Sequence, residues 1–121
     1  MNATWNGIER RGKPKALQEF ASREAVFETL MEAVAAARAD GDDMIANRQR
    51  WHGVGDYVRA AAQRAESLIR GVNPDLSPTD YALACRAELT QETKRFLDDD
   101  SDEASFYGPT LYDIIRSIEV D

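Results

Sequence analysis

His52 is the only histidine in the chain, so any imidazole chemistry has to use it. On a continuous helix Arg48, His52 and Asp56 stack at i, i+4 and i+8, and the Asp56 carboxylate would then orient the ring as a general base requires. No serine or cysteine nucleophile stands within a helical turn of it, and Cys85 is distant in sequence. A small enzyme using His52 is one alternative; a histidine held structurally by Asp56 is the plainer expectation.

Carboxylates offer the second chemistry. Asp98, Asp99, Asp100, Asp102 and Glu103 fall within six consecutive positions. Asp98, Asp100 and Asp102 match positions 1, 3 and 5 of a calcium loop, but Glu103 stands where the sharp turn needs glycine, and Pro109 where a bidentate glutamate belongs. The pattern therefore fails as a calcium site. Glu24, Glu28 and Glu32 form a stripe on one helical face, yet carboxylate-bridged metal bundles also use a Glu-x-x-His spacing, which is absent here. The stripe is expected to face Arg59, Arg64 or solvent. A single cysteine allows neither an internal disulfide nor a multi-thiolate metal site. With no Gly-rich phosphate loop, metal-ligand cluster or nucleophile elbow, no cofactor is expected.

The acidic run then has two readings. It is a solvated linker between the last two helices, or, joined by Asp113, Glu119 and Asp121, it forms a negative surface that imitates phosphates. The second reading describes an acidic decoy that blocks a nucleic-acid-binding protein, as a phage or plasmid inhibitor does.

Charge is distributed unevenly. Residues 1–97 carry fourteen acids and fourteen bases, whereas residues 98–121 carry eight acids against Arg116 alone, so the whole net charge of −7 sits at the carboxyl end. The opposite end, "WNGIERRGKPK", combines Trp5 and Ile8 with Arg10, Arg11, Lys13 and Lys15. Such an arm could grip a polyanion, but a chain with a pI near 4.7 repels nucleic acid, so direct nucleic-acid binding is not expected. The acid-rich stretch, in the same chain or in a twofold partner, is its cheaper target.

The elements that must position these groups are helical. Apolar residues Leu17, Phe20, Ala21, Phe27, Leu30, Met31, Val34 and Ala37 recur at three and four, predicting a helix over about 14–40 stopped by Gly41, with Ser22 as an alternative N-cap. Met44, Arg48, Trp51, Gly55, Val58, Ala62, Ala65 and Ile69 give a second seam over about 42–70. Small residues in that seam allow close approach, Met44 and Trp51 demand a wider gap, and "HGVGD" marks a kink or short break. Ser77, Pro78 and Asp80 start a third helix reaching about 97. Gly108 and Pro109 then break the chain, and Thr110 begins a short helix over about 110–119. Its stripe of Leu111, Ile114, Ile115 and Ile118 either closes the bundle or makes a dimer.

Helix 1 holds five acids against two bases between 16 and 40, and helix 2 five bases against two acids between 44 and 70. A connection of three residues would fold them into an antiparallel hairpin with complementary faces. The expected fold is an all-α helical bundle built on that hairpin, as one domain over 14–121 behind a flexible basic arm over 1–13. No apolar run approaches the roughly 18 residues of a membrane span, and no apolar stretch follows the first bases as in a secretory signal, so a soluble cytoplasmic chain is expected. The expected function is a non-enzymatic protein–protein interaction module, an adaptor or small inhibitor, possible as a homodimer. Its candidate contact residues are Trp5, Arg10, Arg11, Trp51, Asp98, Asp99, Asp100, Asp102, Glu103, Phe106, Tyr107 and Tyr112, with Ile8 and Tyr57 beside them.

Overall fold

In a computed structural model the residues described are 15–96 and 99–120. The basic arm over 1–13, with Trp5, Ile8, Arg10 and Arg11, lies outside them, as does Asp98. Five α-helices run in the order α1 (Arg23–Ala46), α2 (Arg48–Trp51), α3 (Gly55–Arg70), α4 (Pro78–Thr93) and α5 (Asp102–Arg116), with a 3-10 turn Lys94–Phe96 after α4. No strand occurs among the described residues, and none of their helices is long and apolar enough to cross a membrane.

Helix α1 starts at the alternative cap. The Ser22 hydroxyl accepts the Ala25 N–H at 3.1 Å, and Glu24 lies in the first turn, where the helix dipole favours an acid. Residues 15–20, expected in this helix, are not helical. They run against the other end of the chain instead: Gln18 N–H bonds the Ile118 carbonyl at 3.0 Å, Val120 N–H bonds Ala16 at 2.8 Å, and Leu17 bridges Glu119 in antiparallel sense.

Gly41 does not stop α1; it lies buried inside it. A helix-interior glycine costs about 1 kcal/mol against alanine. Here contact offsets that cost, since a Cβ at residue 41 would lie 2.6 Å from Arg59 Cγ and 3.2 Å from the Gly55 carbonyl oxygen. The chain breaks later. Helix α2 is only four residues long, His52 (φ 52°) and Gly53 (φ 84°) are left-handed, and α3 begins at Gly55. The expected 42–70 helix is therefore three pieces, and the break falls within "HGVGD". Met44, expected to demand a wider gap, instead packs against Gly55: a Cβ there would lie 2.7 Å from Met44 Cβ and 2.9 Å from the Gly41 oxygen.

Helix α4 begins as expected, with Ser77 Oγ accepting the Asp80 N–H at 3.2 Å and Pro78 in the first turn. Its α-helical part ends at Thr93, earlier than the expected 97, and buries Tyr81, Ala82, Cys85, Leu89, Glu92 and Thr93. Helix α5 departs most from expectation. It starts at Asp102, with Ser101 Oγ accepting the Ala104 N–H at 3.1 Å, and continues through Gly108 and Pro109. An interior proline costs about 3 kcal/mol. Burying Leu111, Ile114, Ile115 and Ile118 at about 1.5–3 kcal/mol each outweighs it, so the helix persists.

That stripe closes the bundle. It joins Val26, Leu30 and Val34 of α1, Ala61, Ala62, Ala65 and Ile69 of α3, and Tyr81, Cys85 and Leu89 of α4 in one core. Helices α1 and α3 make the most extensive pairing, α5 packing mainly on α3 and α4. Along α1 and α3, Gly41 meets Arg59, Arg38 bonds Gln63 and Glu66, and Phe27 lies under Arg70.

Candidate functional site

Asp102 and Glu103 open α5, whereas Asp99 and Asp100 lie in the connection just before its Ser101 cap. Asp99 Oδ1 accepts the Ser101 N–H at 2.9 Å, and this hydrogen bond holds the Asp99 carboxyl below its ordinary value. Asp102 and Glu103 occupy the first turn, where unpaired N–H groups and the helix dipole favour negative charge. Asp100, Asp102 and Glu103 are exposed. Ser101→Ala is expected to cost about 1 kcal/mol, read as a lower urea midpoint, because it removes the cap from the Ala104 N–H.

Farther along, Asp102, Phe106, Pro109 and Asp113 follow at steps of four, three and four, so they share the outward face of α5. Where that face meets α1 there is a cavity of about 230 Å³. It is lined by Ala33, Ala36, Ala37 and Asp40 of α1, Val58 of α3, and Thr110, Asp113 and Ile114 of α5. The Thr110 hydroxyl is already engaged, donating to the Phe106 carbonyl at 2.7 Å. Desolvation raises the Asp113 carboxyl, Arg116 opposes this, and the nearby Asp40 adds to it.

The sign of that shift gives a prediction. A carboxyl raised in the fold favours its protonated form there. The associated stability is complete below the ordinary value of 3.8 and is lost as pH rises through the higher folded value. At neutral pH the Asp113 charge is a net cost, so Asp113→Asn should raise the melting temperature. The difference should close as pH falls through 3.8.

Bases are distributed in the opposite manner. Of the ten arginines among the described residues, Arg50 lies over Trp51 and Arg116 over Tyr112. The other eight each meet a carboxylate at 2.7–3.4 Å. Arg38 and Arg70 converge on Glu66 and lower its carboxyl. Arg64 and Arg95 converge on buried Glu92, whose Oε2 also accepts the Tyr107 hydroxyl at 3.0 Å. Burial, followed by that hydrogen bond to Glu92, pushes the Tyr107 phenol upward. Arg86 bonds Glu119 at 3.0 Å and the Lys15 carbonyl at 2.7 Å, tying both ends of the described chain to α4. By contrast, no base among the described residues forms an ion pair with Asp40, Asp99, Asp100, Asp102, Glu103 or Asp113.

The remaining sequence candidates fall in different places. Trp51, Tyr57, Phe106 and Tyr112 are half-buried. Tyr107 serves the interior, its ring 4.7 Å from Phe96. His52 is exposed in the left-handed turn, and the Asp56 carboxylate expected to hold it pairs with Arg48 at 3.4 Å. The break before α3 removes the stacking that a continuous helix would have supplied. The Glu24, Glu28 and Glu32 stripe faces solvent rather than Arg59 or Arg64, which take Asp42 and Glu92. Among the described residues no group of three or more histidine, cysteine or acidic side chains could hold a metal ion. Burial pushes the Cys85 thiol up to about 11, unlike an activated nucleophile.

Sequence reasoning missed Glu92 as a hub and Asp40 as a neighbour of Asp113. The visible signals were the Glu92 to Arg95 spacing and the small residues at 33, 36 and 37, which leave room beside α1. No protein-family model, curated protein or solved structure matches this chain. The fold and site define an all-helical bundle with an outward acidic face.

Proposed function

We propose that this chain is a non-enzymatic protein–protein interaction module, an adaptor or small inhibitor, that presents the outward face of α5 to a partner with a basic surface. The observation supporting this is the charge imbalance: eight arginines are engaged by the chain's own carboxylates, while Asp99, Asp100, Asp102 and Glu103 form no ion pair among the described residues. Half-buried Phe106 on the same face supplies an aromatic contact. The rigid platform is an antiparallel hairpin of α1 and α3, supported by pairings that descend along α1 as they ascend along α3. A cytoplasmic, reducing setting suits the lone buried thiol of Cys85.

A second reading is favoured by the clustering of Asp99, Asp100, Asp102 and Glu103 at one helix end. On that reading they imitate phosphates and block a nucleic-acid-binding protein. Capture of partners with the tagged chain, repeated at rising salt, separates the two. An interface that adds an aromatic contact to its charges loses affinity gradually as salt rises, whereas a decoy complex held by charge alone weakens steeply. Failure to retain any protein at low salt contradicts both. A second copy of the chain is one candidate partner, detectable as a dimer by sedimentation; the Leu111 to Ile118 stripe is buried within the chain and does not supply its seam.

A further inference from the structure

We infer that the cavity between α1 and α5 is a socket for a lysine side chain of the partner protein, an inference that rests on the interaction reading above. At about 230 Å³ it falls below the roughly 300–1,000 Å³ of small-molecule sites and suits a single side chain. The chemistry of its walls is divided. Alanines of α1, with Val58 and Ile114, give apolar lining for a methylene stem, while Asp40 and Asp113 supply two carboxylates for the charged head.

Charge complementarity selects the occupant. Two neighbouring carboxylates repel a third anion and leave an apolar ligand with their desolvation uncompensated. Two acids make too sparse a set for a metal ion, and no larger group of ligating side chains exists among the described residues. An ammonium on a flexible stem satisfies both halves of the cavity. Desolvation, with a smaller contribution from nearby Asp40, raises the Asp113 carboxyl against the opposing pull of Arg116, and an ammonium placed there would further favour its charged form.

The test is a titration of the isotopically labelled full chain, followed by amide NMR, with a short Gly/Ser peptide carrying one central lysine. The expected result is movement of the Ala36, Ala37, Asp40, Thr110 and Asp113 signals. Acetylating the lysine, or introducing Asp40→Asn together with Asp113→Asn, should weaken binding by about tenfold or more. Still signals, equal movement with acetylated peptide, or movement unaffected by the substitutions would each overturn the socket. So would movement caused by n-butylammonium but not by the peptide, which would mark a site for small amines. If pocket signals ignore the lysine peptide while the chain retains a partner in the capture experiment, the socket alone fails. If no partner is retained either, the interaction reading fails with it.

Discussion

Replacing Gly55 with alanine is expected to destabilise the fold by about 2 kcal/mol, although alanine is the better helix former. The new Cβ would lie 2.7 Å from Met44 Cβ, 2.9 Å from the Gly41 oxygen and 2.9 Å from the Ile45 nitrogen. Two of those neighbours are backbone, so relief requires α1 and α3 to move apart rather than a side chain to rotate. The propensity gain is at most about 1 kcal/mol and smaller at the first position of α3, so the steric cost prevails. Gly71 provides an internal control: a Cβ there meets only the Leu68 and Ser67 oxygens, at 3.5 Å, and its φ of −82° suits any residue. Gly71→Ala should therefore be neutral or slightly stabilising. Urea denaturation of both variants checks the pair, and equal stability of Gly55→Ala and the parent would contradict the close crossing.

Removing Arg86 should have the larger effect. Arg86→Leu is expected to cost about 3 kcal/mol, the low end of the range for breaking a buried ion pair by deleting one member. Glu119 keeps only 2% of its side chain exposed, so its charge cannot turn to water for compensation. The same guanidinium holds the Lys15 carbonyl, and its loss loosens residues 15–18 where they pair with 118–120. The double variant Arg86→Leu with Glu119→Leu should recover most of the stability, because apolar residues of similar volume often replace a buried pair at little cost. A double variant as unstable as the single one would show that packing, not the buried charge, sets the effect.

Local chemistry made the helix starts at Ser22 and Ser77 and the buried stripe from Leu111 to Ile118 legible in the sequence, since each rests on residues within a turn or two of one another. The same local logic misplaced the stops. Gly41 and Pro109 break helices in isolation, but a close neighbour rewards the first and four buried aliphatics override the second. Ser101, followed by two acids, was an equally good local start signal for α5, obscured by the apparent break at Gly108 and Pro109. Contacts built from distant segments left no local trace. Asp40 with Asp113, Arg64 with Glu92, and Ala16 with Val120 exist only because the chain brings separate elements together.

The acidic face therefore combines a structural duty with a proposed recognition duty, and one comparison separates them. Asp99, Asp100 and Asp102 are changed to asparagine and Glu103 to glutamine, which removes charge while keeping hydrogen-bonding groups at the start of α5. Partner affinity is then measured beside the helical circular dichroism. The interaction reading predicts an unchanged spectrum with partner binding weakened by about tenfold or more. Unchanged affinity in a folded variant would contradict it, leaving those carboxylates as the cap of a helix alone.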